Sequence, residues 1–168
     1  MEFHPETGAD LWVVEPQGTR QARPFLNTPF WEKQATFSPN GRWLAYVSDE
    51  SGEFEVYARP FPGPGPRFPI SSEGGEEPAW SRSGRELFYR SGGRMMSVTI
   101  SETPEFSASR PQVLFEGLYH YADLPARTYD VSPDGRFVMV TEPEPDEATR
   151  QLHVILNWSE ELKRPASR

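Results

Sequence analysis

The residues able to do chemistry are few and scattered. The three histidines, His4, His120 and His153, lie far apart, and none shows the close pairing of a zinc motif. With no cysteine in the chain, thiolate metal sites, disulfides and cysteine nucleophiles are excluded together. No G-x-S-x-G nucleophile elbow occurs. Asp49-Glu50-Ser51-Gly52-Glu53 is carboxylate-rich, but it lacks the regular oxygen spacing and closing Glu of a calcium loop. Glu76 and Glu77 are adjacent, so on a strand they point to opposite faces and make no acid–base pair. These patterns predict no enzyme, no metal and no cofactor. The residues left for recognition are aromatic and acidic: Phe30 and Trp31, then Tyr119, His120 and Tyr121 beside Asp123.

Composition narrows the partner. Of 168 residues, 25 are acidic and 17 basic, a net charge of −8, and no basic cluster offers the phosphate contacts that nucleic-acid binding requires. No window approaches the roughly 20 apolar residues of a membrane-spanning helix, and the Met-Glu-Phe-His-Pro-Glu start has no signal-peptide pattern. Localisation stays open. Eighteen prolines and thirteen glycines, spread along the chain, argue against long helices.

The elements that must position the aromatics follow from an internal repeat. Thr36-Phe37-Ser38-Pro39-Asn40-Gly41-Arg42-Trp43, Ala79-Trp80-Ser81-Arg82-Ser83-Gly84-Arg85-Glu86 and Asp130-Val131-Ser132-Pro133-Asp134-Gly135-Arg136-Phe137 share one pattern of apolar residue, Ser, two turn residues, Gly, Arg. Ser at the first, Pro at the second and Gly at the fourth position suit a type I turn. The glycines are 43 and 51 residues apart; a four-stranded propeller blade takes roughly 40 to 45 residues. A second register places third strands at Asp10–Val14, Glu55–Arg59, Arg94–Val98 and Gln151–Ile155. Fourth strands fall near Arg23–Leu26, Arg67–Ser71 and Gln112–Phe115, and first strands end at Phe37, Trp80 and Val131. The expected fold is all-β, a partial β-propeller of about three four-stranded antiparallel blades over residues 1–157. The repeats fall near 10–33, 34–77, 78–127 and 128–157, with two strands, four, four and three. Residues 158–168 form a tail in which Trp158–Arg164 permits a short helix. Proline-rich Pro60–Pro66 reads as a connection between strands, where missing N–H groups do no harm, or alternatively as a polyproline ligand.

These turns, with W-L-A-Y-V-S-D-E-S-G, V-Y-A-R-P-F-P-G and E-P-A-W-S, resemble the WD-like β-propeller repeats of the TolB and tricorn type, from about Asp10 to Asn157. R-P-F-P-G-P-G, G-R-E-L-F-Y and the terminal L-N-W-x-E-E-L-K-R are similar to the C-terminal end of propellers that follow bacterial serine/threonine protein kinase domains. The chain has no glycine-rich phosphate loop, H-R-D or D-F-G, so the resemblance implies no kinase activity. It implies a segment of a larger propeller that recognises a protein or ligand, or an accessory domain to a kinase or peptidase encoded elsewhere, or a truncated remnant. Exposed blade edges lead to an expectation of self-association. By propeller strand order, loops 27–33, 49–53, 73–77, 91–94, 117–127 and 142–150 share one face. That face is acidic with aromatic patches and suits a basic peptide or protein segment, with Phe30, Trp31, Tyr119, His120, Tyr121 and Asp123 as its contacts.

Overall fold

The computed structural model describes residues 2–4, 8–17, 20–120 and 126–141, and they fold into strands and connections with no helix. The strands are β1 (Glu2–His4), β2 (Gly8–Val14), β3 (Ala22–Leu26), β4 (Glu32–Phe37), β5 (Trp43–Ser48), β6 (Glu55–Pro60), β7 (Phe68–Pro69), β8 (Glu76–Trp80), β9 (Glu86–Ser91), β10 (Arg94–Ser101), β11 (Ser107–Ala108), β12 (Gln112–Glu116), β13 (Tyr129–Val131) and β14 (Phe137–Met139). Every pairing is antiparallel. The sheets run β1-β2-β3, β4-β5-β6-β7, β8-β9-β10 with both β11 and β12 on the far side of β10, and β13-β14. They are successive blades, one to four.

First strands end at Phe37, Trp80 and Val131, where the repeat places them. The first blade departs from expectation: three strands are present where two were predicted, because β1 pairs β2 with Glu2 opposite Asp10. Blade three carries the additional short β11, since β10 is long enough to pair β12 with its first half and β11 with its second. The strand expected at 151–155 and the helix at 158–164 lie outside the described residues.

The recurring serine does more than start a turn. In the three hairpins the glycine N–H bonds back to the serine carbonyl at 2.8 to 2.9 Å, and the glycines hold φ of 69°, 71° and 83°, a region that costs other residues energy. The serine hydroxyl then accepts the N–H of Trp43, Glu86 or Arg136 at 2.9 to 3.1 Å, pinning the start of the next strand. In the proline-rich connection between β6 and β7, Phe61 packs against Phe25 (5.6 Å) and edge-on to Phe37 (4.8 Å), so the segment is folded onto the first blade junction.

Strand alternation explains why the second strands read as continuous apolar runs: both faces of each inner blade are buried. From β9, Leu87 and Tyr89 join Ala45, Val47, Val56 and Ile70 between blades two and three. The intervening Phe88 joins Met95, Ala79 and Tyr129 between blades three and four. Leu26, Tyr46 and Tyr57 fill the junction of blades one and two.

The first strands of neighbouring blades are also bonded side chain to main chain. β4 and β8 each carry a register shift, with Gln34 at φ 53° and Glu77 at φ 56°. Such a bulge re-aims a side chain. Gln34 Oε1 accepts the Glu77 N–H (2.8 Å), and Glu77 Oε2 accepts the Thr128 N–H (2.9 Å). Gln34, Glu77 and Thr128 are spaced by the same 43 and 51 residues as the turn glycines.

Candidate functional site

Four connections converge on a cleft of about 550 Å³. Glu53 and Phe54 come from the β5–β6 connection, Glu73 to Gly75 from β7–β8, Ser91 to Gly93 from β9–β10, and Gly117 to Tyr119 follow β12. These belong to the loops that propeller strand order assigns to one face.

Buried polar groups hold each wall. The Glu55 carboxylate accepts the Ser71 hydroxyl and the Gly74 N–H (2.9 Å), while Ser71 Oγ accepts the Val56 N–H (2.8 Å). Gly75 N–H bonds to the Phe54 carbonyl (2.8 Å), and the Ser91 hydroxyl donates to the Glu73 carbonyl (3.1 Å). Gly75 must be glycine, because a Cβ there would lie 2.3 Å from Ser71 Oγ. Arg90 is the central clip. Its guanidinium, nearly buried, donates to the carbonyls of His120 (2.6 Å), Tyr119 (3.3 Å) and Gly92 (3.3 Å) and to Thr128 Oγ1 (2.9 Å). The Thr128 hydroxyl donates in turn to the Glu77 carboxylate (2.9 Å), which is fully buried. Burying a cation and a carboxylate is tolerable only when each is hydrogen-bonded in this way. The Tyr129 hydroxyl closes the network on the Glu77 carbonyl (2.7 Å), and burial pushes its phenol far above the ordinary range, so it remains a donor.

Charge at the cleft is uneven. Lys33 Nζ ion-pairs Glu76 at 2.6 Å and lies 3.7 Å from the centre of the Phe54 ring. Glu53 and Glu73 are exposed, and their carboxylates have no ion pair or hydrogen bond among the described residues. The mouth is apolar, with Leu118 88% exposed beside the half-buried Tyr119. The cleft thus offers hydrophobic surface, glycine main chain and two exposed carboxylates that make no ion pair among the described residues. Glu76 and Glu77 part, one to Lys33 and the other to Thr128, with the bulge at Glu77 re-aiming its side chain.

The residues expected to bind a partner do not gather at one point. Tyr119 lines the cleft, its ring packed on Gly117 and edge-on to Phe115 at 5.8 Å. His120 is exposed next to it, with its N–H on the Val140 carbonyl (2.8 Å). Phe30 and Trp31, 39% and 42% exposed, stand on the β3–β4 connection and are not among the residues lining the cleft. Trp31 donates its N–H to Asp49 Oδ1 (2.9 Å) and lays its indole over Gly8, so part of its surface is structural. Tyr121 and Asp123 lie outside the described residues. Arg90, Leu118 and the Gln34, Glu77 and Thr128 set were not anticipated. The last had a signal in its spacing, but three different residue types occupy the position. Among the described residues no group of three or more His, Asp or Glu is placed to hold a metal ion.

No protein-family model matches the sequence, and no curated protein matches it. Solved structures do match in shape. A protein assigned as TolB from Agrobacterium tumefaciens superposes with a TM-score of 0.54 at 15% identity, over 78% of this chain and 49% of that one. TolB from Acinetobacter baumannii gives a TM-score of 0.49 at 17% identity, over 84% and 45%. The chain therefore spans about half the length of the structures it matches. At this identity the shared property is the fold, a partial β-propeller of the TolB type.

Proposed function

We propose that the chain is a non-catalytic segment of a larger β-propeller and that it recognises a basic peptide or protein segment on its loop face. The observation that carries this reading is the cleft itself: an apolar mouth at Leu118 and Tyr119 beside two exposed carboxylates, Glu53 and Glu73, that make no ion pair among the described residues. An apolar side chain of the partner covers Leu118, and a neighbouring lysine or arginine meets the carboxylates. His120, exposed next to Tyr119, flanks this contact. The concentration of acid also disfavours nucleic acid. The rigid walls suit binding, because a preformed surface loses little entropy when occupied.

Fluorescence anisotropy with labelled peptides of alternating Lys and Leu, against matched Glu and Leu peptides, tests the reading. The basic peptide binds, binding falls with added salt, and Glu53→Gln with Glu73→Gln weakens it about tenfold, equivalent to about 1.4 kcal/mol. Leu118→Ala weakens it as well. Glu102→Gln, at the remote Arg42 ion pair, leaves it unchanged. Equal binding of both peptides, or equal loss in Glu102→Gln, overturns the proposal.

A further inference from the structure

Beside the cleft, on the face of blade three that meets blade two, lies a second hollow of about 380 Å³ whose chemistry is opposite. The β9–β10 register builds it. Ser91 is opposite Arg94 and Tyr89 opposite Met96, so these four side chains form one stripe on the sheet face. Arg110, just before β12, and Ser72, from the β7–β8 connection, complete the wall. Neither the Arg94 nor the Arg110 guanidinium has an ion pair or hydrogen bond among the described residues. Glu116, the cross-strand partner of Arg94, makes no ion pair with it. Glu73 also lines the hollow, leaving two positive charges to one negative.

Blade two shows how this fold treats an arginine that has only a structural role. Arg67 is ion-paired with Glu50 and lies over the Tyr57 ring at 5.2 Å. Arg94 and Arg110 have no such internal partner, in a chain where acidic residues outnumber basic ones. Two arginines lining one hollow supply the fork of donors that suits planar or tetrahedral oxyanions. Hydroxyls complete the donor set at Ser72 and Tyr89. Burial first, and then the negative charge of Glu55, pushes the Tyr89 phenol up to about 12 against the opposing Arg94 charge, with a smaller upward push from Glu73, which keeps it a hydrogen-bond donor at neutral pH.

We propose that this hollow is an oxyanion-binding site, in which Arg94 and Arg110 grip a carboxylate or phosphate group and Ser72 and Tyr89 orient it. The hollow shares Glu73 and Ser91 with the adjacent cleft, but its ligand-gripping groups, Arg94 and Arg110, are not among the residues lining that cleft, and its ligand carries the opposite charge.

Isothermal titration calorimetry on the whole chain tests it with three probes: inorganic phosphate, acetyl-triglycine with a free carboxylate, and acetyl-triglycine amide. At least one anion binds and the amide does not; the tighter of the two anions identifies the source. Arg110→Gln and Arg94→Gln each weaken that binding at least tenfold. Arg136→Gln, an exposed arginine paired with Asp134, and Leu118→Ala leave it unchanged. Arg94→Lys keeps the charge but loses the fork and recovers only part of the affinity. Circular dichroism of each variant confirms that the fold is retained. Binding of neither anion, equal binding of the amide, or loss equal to that in Arg136→Gln overturns the proposal.

Discussion

Glu77 is the position where blade-to-blade bonding can be weighed most directly. Its carboxylate is fully buried and accepts both the N–H and the hydroxyl of Thr128, while Gln34 performs the corresponding task one blade earlier with a neutral amide oxygen. If the position requires only an acceptor, Glu77→Gln retains the bond to the Thr128 N–H and costs less than about 1 kcal/mol. Glu77→Ala removes both bonds and leaves a partly buried N–H without its acceptor. Hydrogen bonds to a charged group are worth about 1.5 to 3 kcal/mol each, so a loss of about 3 kcal/mol is the conservative figure. For a chain of this size that lowers the melting temperature by about 6 to 12 °C. Thermal unfolding followed by circular dichroism, with urea titration for the free energy, measures both variants. Hydrogen exchange at the Thr128 amide supplies the local readout: protected in wild type and Glu77→Gln, fast in Glu77→Ala. Should Glu77→Gln prove as damaging as Glu77→Ala, the requirement would be negative charge near Arg90, and the equivalence drawn between Gln34 and Glu77 would be refuted.

Glu32 sets a pH dependence. Burial first, and then the nearby Asp10 and Asp49 charges, raise its carboxyl from the ordinary 4.5 to about 7, against the opposing pull of the Thr28 hydroxyl and Arg59. The folded chain holds this proton more tightly than the unfolded one, so its contribution is present below pH 4.5 and is lost as pH rises through 7, by about 3 kcal/mol at most. Urea midpoints between those values fall less steeply in Glu32→Gln; an unchanged slope contradicts the assignment. Gly8→Ala places a methyl 2.9 Å from the Trp31 indole at φ 77° and destabilises by about 1 to 3 kcal/mol, with a shift in tryptophan emission. A neutral result would mean that Trp31 is not seated on Gly8. Trp12, Val14 and Val138 are exposed apolar residues, so light scattering after size-exclusion chromatography is expected to give a mass above the 19.2 kDa of one chain. A stable monomer of that mass would rule out self-association.

What could be read in advance and what could not divide along a physical line. The hairpins were legible because their chemistry is local: Ser38 to Gly41 satisfy one another within four residues, and the same solution recurs at Ser81 and Ser132. First-strand ends followed, because the turn fixes them. Of the six loops that the repeat period assigns to one face, those near 49–53, 73–77, 91–94 and 117–119 contribute to one cleft, 27–33 does not line it, and 142–150 lies outside the described residues. The partner-binding residues were harder to rank, since aromaticity in a loop does not distinguish Tyr119, which lines the cleft, from Trp31, which covers Gly8. Arg90 was invisible for a different reason. In sequence it is one more polar residue at the end of a strand, and only Tyr119, His120 and Thr128, some 30 to 40 positions later, supply the carbonyls and hydroxyl that justify burying it.

The bulge position shows what a repeat conserves and what it leaves variable. Its requirement is a side-chain oxygen aimed at the next blade, and glutamine, glutamate and threonine all provide an oxygen within reach of a strand neighbour. Residue identity is therefore free to change while the bond persists, from Gln34 to Glu77, as the bond itself passes to Thr128. At Glu77 the acceptor also shares a partner, Thr128, with a buried arginine. Through Thr128 the Glu77 carboxylate is linked to the guanidinium that Arg90 uses to hold the Tyr119 and His120 main chain. The blade junction and one wall of the cleft are thereby joined, so stability and the shape of the cleft depend on one buried network.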